Sequence, residues 1–370
     1  MQTVSSAKQT ARLAAICLIC ALLAPWALAD DAEPTQRMLT FNGFGTLGVA
    51  HSSEHRADYT FDNLQPKGAG RSSDWSPEVD TRLGGQLTAN FTPQWSAVLQ
   101  VVSEYRWNNT YDPFVSWANV KYAFTPDFSV RVGRIALASF LESDSRRVGY
   151  SNITARPPIE VYRLLALKES DGIDAVYRTH FDGMTNSTTV LFGKRTVTNT
   201  RGIDVHSTRV AGLFDTLEFG ATTLHGAYQV RNVDNQAPSL GRFMSLGISH
   251  DPGNWFMASE WVKAVNFDGK GVRVDRLGWY INGGVRIGNF SPYATWSELL
   301  PTTPTGTTPA GQRTLAPGVR WDLAHNVDLK LQYDMVRLAD QSYGTLQNVK
   351  AGTPKGGKVN VLSLVADFVF

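Results

Sequence analysis

Two spacings in this chain carry the residue types of enzyme or cofactor sites. His51-Ser-Ser-Glu54-His55 matches H-x-x-E-H, in which two histidines on one helical face hold zinc and the glutamate serves as base. Gly43-Phe-Gly45-Thr-Leu-Gly48 matches the G-x-G-x-x-G of dinucleotide sites, where the glycines lead into a helix whose N-terminus holds a pyrophosphate. Neither has the element its chemistry requires. The histidines open a polar stretch that runs to Asp58-Tyr59-Thr60, with no helical period and no third ligand. The glycines lie inside an alternating strand, and Val49-Ala50-His51-Ser52-Ser53 after them has no helix pattern. His180, His206, His225, His250 and His325 are scattered without a fixed partner, and there is no nucleophile elbow. The residues give no reason to expect a metal or a cofactor, and a hydrolase built on a Ser/His or Asp/His pair is kept only as an alternative.

The elements around these motifs are of another kind. Lys8 and Arg12, the apolar run Leu13 to Ala24 and the small-x-small Ala27-Leu28-Ala29 form an export signal, so residues 1–29 are expected to be cleaved before Asp30. Both cysteines, Cys17 and Cys20, fall inside that signal, which leaves residues 30–370 without a disulfide or a Cys-based metal site. The chain has 35 basic and 33 acidic residues, and with Lys8 and Arg12 removed the balance is even, which argues against a nucleic-acid partner. No apolar run after Ala29 reaches the roughly 20 residues of a membrane helix.

Period-2 alternation between turn signals predicts an all-β chain of sixteen strands, from 38–50 to 358–370. Every second connection is tiny: Thr92-Pro93, Thr125-Pro126, Phe181–Thr185, Phe214–Thr216, Asp251-Pro252-Gly253, Gly288-Asn289 and Ala324–Asn326. The others are mostly long, as at 51–78, 136–170, 301–312 and 341–357, with 107–111 and 268–273 as short exceptions. In 327–337, Val327, Leu329, Leu331, Tyr333 and Met335 oppose Asp328, Lys330, Gln332 and Asp334. In 276–287, Leu277, Trp279, Ile281, Val285 and Ile287 oppose Arg276, Tyr280, Asn282 and Arg286. In 94–106, Trp95, Ala97, Leu99, Val101 and Tyr105 oppose Ser96, Gln100, Glu104 and Arg106. The polar faces are too charged for an ordinary packed core, so one face is expected to meet hydrocarbon and the other water. Short turns on one side, long loops on the other, and Phe91-Thr92-Pro93-Gln94-Trp95-Ser96 echoed by Phe124-Thr125-Pro126-Asp127-Phe128-Ser129 fit a transmembrane barrel with an aromatic girdle.

The chain therefore resembles the sixteen-stranded, general-porin-like family of Gram-negative outer-membrane porins. The carriers are the first strand Leu39-Thr40-Phe41-Asn42-Gly43-Phe44-Gly45-Thr46-Leu47-Gly48, the terminal Phe370, and the long third outer loop after Val130-Arg131-Val132-Gly133-Arg134. The resemblance implies an antiparallel barrel with short periplasmic turns and long outer loops, 136–170 folded into the lumen as a constriction, and a homotrimer in the outer membrane. It also implies a basic cluster on the wall facing acidic residues on that loop. Two features depart from it. The loop lacks the Pro-Glu-Phe-Gly-Gly pattern, and the second outer loop, which latches onto a neighbour in many trimers, is only Trp107–Tyr111.

On this basis Arg82, Arg106 and Arg131 are expected to form the wall cluster, with Lys121 beside them and Glu142 and Asp144 facing it. Arg146, Arg147, Arg156 and Arg163 add positive charge to the loop, which Arg156-Pro157-Pro158 stiffens. Charge in a narrow low-dielectric passage sets ion preference. The expected function is passive diffusion of small hydrophilic solutes and ions with weak anion preference, in contact with outer-membrane lipid and lipopolysaccharide. A channel specific for organic acids or phosphate is the alternative, kept open by Phe140, Tyr150 and Tyr162; a non-conducting adhesive barrel is another.

Overall fold

Strands with two unlike faces can hide every backbone edge only by closing into a ring. The computed structural model describes residues 38–234, 239–267, 273–300 and 311–370. The expected signal 1–29 lies outside the described residues. Sixteen long strands follow in chain order: β1 Leu39–Ser52, β2 Arg82–Asn90, β3 Trp95–Glu104, β4 Phe114–Ala123, β5 Phe128–Ala136, β6 Glu169–Phe181, β7 Met184–Thr198, β8 Asp204–Phe219, β9 Thr222–Asp234, β10 Ser239–His250, β11 Trp255–Phe267, β12 Arg273–Val285, β13 Phe290–Leu300, β14 Gln312–Ala324, β15 Val327–Leu338 and β16 Gly357–Val369. Each pairs antiparallel with its sequence neighbour. β1 closes the ring by pairing with β2 through Leu39 to Thr46 and with β16 through Phe44 to Ser52.

The glycines of the apparent dinucleotide fingerprint serve this seam. A Cβ at Gly43 would stand 2.1 Å from the Phe370 ring, and one at Gly45 would stand 2.3 Å from the Phe368 ring. The aromatics at the chain's end thus pack directly on the β1 backbone, where any side chain would hold them off. His51 is also in β1, stacked on Trp75 at 4.8 Å rather than on a zinc-binding helix.

The faces separate as alternation predicts. In β15, Leu331, Tyr333 and Met335 are exposed while Asp328, Lys330, Gln332 and Asp334 are buried; in β12, Ile281 and Val285 are exposed while Tyr280 and Asn282 are buried. Exposed apolar side chains on strands all round the ring suit hydrocarbon, and this is a transmembrane barrel. Phe91, Trp95, Phe124, Phe181, Phe219, Trp255, Phe290, Trp321 and Phe370 are exposed at the short-turn end, forming a girdle. The repeated Phe-Thr-Pro turns share one device. The Thr92 hydroxyl accepts the Trp95 N–H at 3.0 Å, and the Thr125 hydroxyl accepts the Phe128 N–H at 2.9 Å.

Two local expectations fail. Phe214–Thr216 is not a turn; it lies within β8, and the chain reverses at Gly220-Ala221. Asp215 reads as a turn residue, but Asn186 and Thr188 on β7 satisfy its carboxylate at 2.7 and 2.6 Å. Tyr105 does not continue the outer face of β3. It is buried past the strand end, where its hydroxyl donates to Asn109 at 3.0 Å.

Candidate functional site

A long loop can enter a barrel only if the wall receives its polar groups, since unpaired buried groups are costly. The third loop, residues 137–168 between β5 and β6, meets that condition along most of its length. It carries a 3-10 turn at Gly149–Ser151 and one α-helical turn, α1 (Ile159–Tyr162), whose residues are all buried. Near its start, Ser245 donates to the Ser139 carbonyl at 2.7 Å, Ser139 donates to Gln229 at 3.2 Å, and the Leu141 N–H donates to Glu260 at 3.0 Å. An apolar seat accompanies these bonds: Phe140 stacks on Tyr162 at 4.5 Å and meets the edge of Phe243 at 5.1 Å. Further on, Glu160 accepts from Ser297 at 2.8 Å and from Gln312 and Thr314 at 2.5 Å each.

The strongest anchor is Arg156, whose side chain is 1% exposed. It forks onto Asp80 at 2.8 and 2.6 Å, reaches Asp334 at 2.9 Å and donates to Ser363 at 2.6 Å. Asp80 belongs to the first long loop, 53–81, which also folds inward. Lys168 pairs with Asp62 of that loop, and Arg163 donates to Asn63 and to the Thr60 carbonyl, both at 2.9 Å. Burial alone would raise the Asp62 carboxyl, but Lys168 and Arg146 hold it well below the usual carboxylate range. Burial lowers Arg163 to about 10.

Most of the expected site residues are therefore ties rather than free lining. Arg82 is buried under both loops, donating to the carbonyls of Asp80 at 3.1 Å and Arg146 at 3.2 Å. Arg106 lies beyond the end of β3, 4.1 Å over the Phe114 ring. Arg131 forks onto Asp174 of the next strand at 2.5 to 3.2 Å. Arg146 is buried over Phe140 and Tyr162. Arg147 joins Glu169 at 2.6 Å, Ser116 at 2.7 Å and Glu104 at 3.5 Å. The structure thus does not assemble Arg82, Arg106 and Arg131 into one cluster opposite Glu142 and Asp144. Each guanidinium has found a carboxylate, a carbonyl or a ring nearer to hand. Asp144 alone keeps part of the expected role. It is exposed, and its charge acts on both Arg131 and His225.

Glu142 lies half-buried against Tyr162 and near Glu260, and burial pushes its carboxyl up to about 7. The unfolded chain releases this proton near the ordinary value of 4.5, so between there and about 7 the docked loop holds a proton that the undocked loop does not. Docking is then favoured at acid pH and weakens as pH rises through that window. Glu142→Gln should protect the loop against proteolysis at pH 8 relative to the parent protein and change little at pH 4. Equal protection of the two proteins at both pH values would refute this.

Sequence reasoning missed Asp80, Lys330 and Asp367 as parts of the site. Lys330 is 0% exposed and donates to the Gly149 carbonyl at 2.7 Å and to Asp367 at 2.8 Å. Strand alternation had already turned Lys330 inward; only its loop partner was invisible. On the β15–β16 side the lumen-facing charges Asp328, Lys330, Asp334 and Asp367 do not meet water, contrary to expectation, because they are buried and paired beneath the loops, whereas Arg276 on β12 stays exposed. A cavity there, among Arg156, Glu160 and Asp334, holds about 20 Å³, room for a single water. The β4–β7 wall differs. Asn119, Lys121, Arg131, Ser187 and Thr189 are half-buried and Arg178 is exposed, all pointing inward. Among the described residues, Lys121 and Arg178 have no side-chain ion pair, and Lys121 faces Arg131 across the β4–β5 pairing.

No family model matches the chain, and no curated protein matches it. Solved structures do. An anion-selective porin from Comamonas acidovorans aligns with TM-score 0.61 at 13% identity, covering 90% of this chain and 99% of that one. The outer membrane channel DcaP of Acinetobacter baumannii aligns with TM-score 0.61 at 12% identity, covering 90% and 97%. OmpT of Vibrio cholerae in its trimer form aligns with TM-score 0.59 at 13% identity, covering 90% and 100%. The shared feature is the fold, a closed sixteen-stranded porin barrel.

Proposed function

We propose that this chain is a porin of the Gram-negative outer membrane, carrying small hydrophilic solutes and ions down their gradients without catalysis. The observation that supports this most is the contrast between the two halves of the lumen. One is sealed by anchored loops, while the β4–β7 wall keeps polar, partly open side chains inside a girdled apolar exterior. Residues 137–168 act as the constriction. Lys121 and Arg178 set against Asp144 give that wall a small positive excess, which favours anions, and the Comamonas neighbour is by its description anion-selective. The trimer form of the Vibrio neighbour supports a homotrimer, although the short second outer loop requires a different latch.

The test is the reversal potential in a KCl gradient across a planar bilayer. Lys121→Glu with Arg178→Glu should move selectivity from weakly anionic to cationic. An unchanged reversal potential would remove the path from this wall. The density of the packed half favours a second reading, a narrow channel specific for organic acids or phosphate. Current that saturates with one such anion, but not with chloride, would select it.

A further inference from the structure

We infer that Lys330 and Asp367 join in an isopeptide bond, a covalent rung that ties the last strand to β15 once the barrel has folded. Such a rung belongs to the closing of the ring and does not depend on what the channel carries. Asp328 faces Asp367 across the β15–β16 pairing, and Lys330 lies one inward position further along β15. All three side chains are 0% exposed. Lys330 Nζ donates to Asp367 Oδ2 at 2.8 Å and stands 3.4 Å from Asp328 Oδ1. From β1, the Thr46 hydroxyl donates to Asp367 Oδ1 at 2.5 Å. Among the described residues neither carboxylate oxygen of Asp328 accepts a hydrogen bond, although Arg320 lies 3.2 Å away. The third loop covers the site. Its Gly149 carbonyl accepts from Lys330 at 2.7 Å, and a Cβ at Gly149 would collide with Asp367 Oδ1.

These groups are the parts of an amide-forming centre. An amine and a carboxyl held in contact react as if at effective concentrations that reach about 10⁵–10⁸ M in well-oriented pairs. Joining them also removes two charges from a site closed to water, where charges are costly. Asp328 takes a proton from the Lys330 ammonium, leaving a neutral amine whose lone pair attacks Asp367 Cγ. The Thr46 hydroxyl meets the charge that gathers on Oδ1. Asp328 passes its proton to Oδ2, and the second proton lost from the nitrogen follows the same route. The Cγ–Oδ2 bond then breaks and Oδ2 leaves as water. One ammonium and one carboxylate become one amide and one water, with nothing oxidised or reduced. A structural ion pair has no need of a second carboxylate with idle lone pairs; a proton carrier does.

The test is mass spectrometry of tryptic peptides from the full barrel folded in detergent. A bonded Lys330 resists trypsin, so the expected product is a branched peptide in which 321–337 is joined to 359–370, lighter than the two together by one water. Fragmentation should place the link between Lys330 and Asp367. Protein held unfolded in urea should give only linear peptides, and the branched one should accumulate after refolding. Asp328→Asn and Thr46→Val should each slow its formation about a hundredfold. Only linear peptides from the folded parent, even after prolonged incubation, would overturn the inference. So would a rate that Asp328→Asn leaves unchanged, or a branched peptide that forms equally in urea. Should neither variant fold, as judged by heat-modifiable migration, the peptides of the parent decide alone, with their linear forms as the failing result.

Discussion

Arg156→Met will release the third loop while leaving the barrel standing. The guanidinium is the only cation paired with both Asp80 and Asp334 among the described residues, and all three side chains are almost wholly buried. Removing one partner of a buried ionic group costs about 3–5 kcal/mol, because the charges left behind have lost both water and counter-ion. That loss falls on the docking of loop to wall, since the strand ladders carry the barrel and Arg156 contributes to none of them. The expected results are protease cleavage within 137–168, preserved heat-modifiable migration and a larger single-channel current. Adding Asp80→Asn and Asp334→Asn should recover a good part of the protection, the coupling expected of groups in one network. A variant as resistant and as weakly conducting as the parent would show that Arg156 is not the anchor.

Lys330→Met should strike the barrel itself. Asp328 on β15 and Asp367 on β16 face each other across the pairing, with Lys330 3.4 Å from one and 2.8 Å from the other. Thr46 of β1 donates to Asp367 at 2.5 Å, so the cluster sits on the seam where the ring closes. Without the ammonium, Asp328 keeps Arg320 at 3.2 Å but Asp367 is left buried with no cation, facing a second carboxylate on the adjacent strand, at a cost of about 3 kcal/mol. The unfolding midpoint in urea should fall clearly, and Asp367→Asn in the same chain should restore part of it. A midpoint equal to the parent's would mean that water already reaches this cluster.

These two residues also show where a sequence stops being legible. The strands could be read wherever alternation is strict, as in β12 and β15, because a barrel strand has hydrocarbon on one side at every second position. The Phe-Thr-Pro turns could be read because their bonds span three residues. Lys330 could be placed on the inner face for the same reason, but not paired. The anchors of the third loop could not be read. Arg156 finds Asp80 and Asp334 at sequence separations of 76 and 178, and no local pattern records such a meeting. Treating wall arginines as free lining failed for that reason: Arg82 lies inward as expected, but two loops lie over it. The misplaced turn at Phe214–Thr216 has the same origin, since Asp215 looks like a turn residue until its partners on β7 are known.

Thiol modification of the channel current tests the water path along one wall most directly. In protein produced as residues 30–370, which contain no cysteine, Ser187→Cys on the open wall and Thr295→Cys on the packed side can be probed singly in planar bilayers with a charged methanethiosulfonate. The expected result is a steady current in both proteins, reduced by the reagent at position 187 and untouched at position 295. Block at 295 with none at 187, or no current from correctly folded protein, would contradict the account.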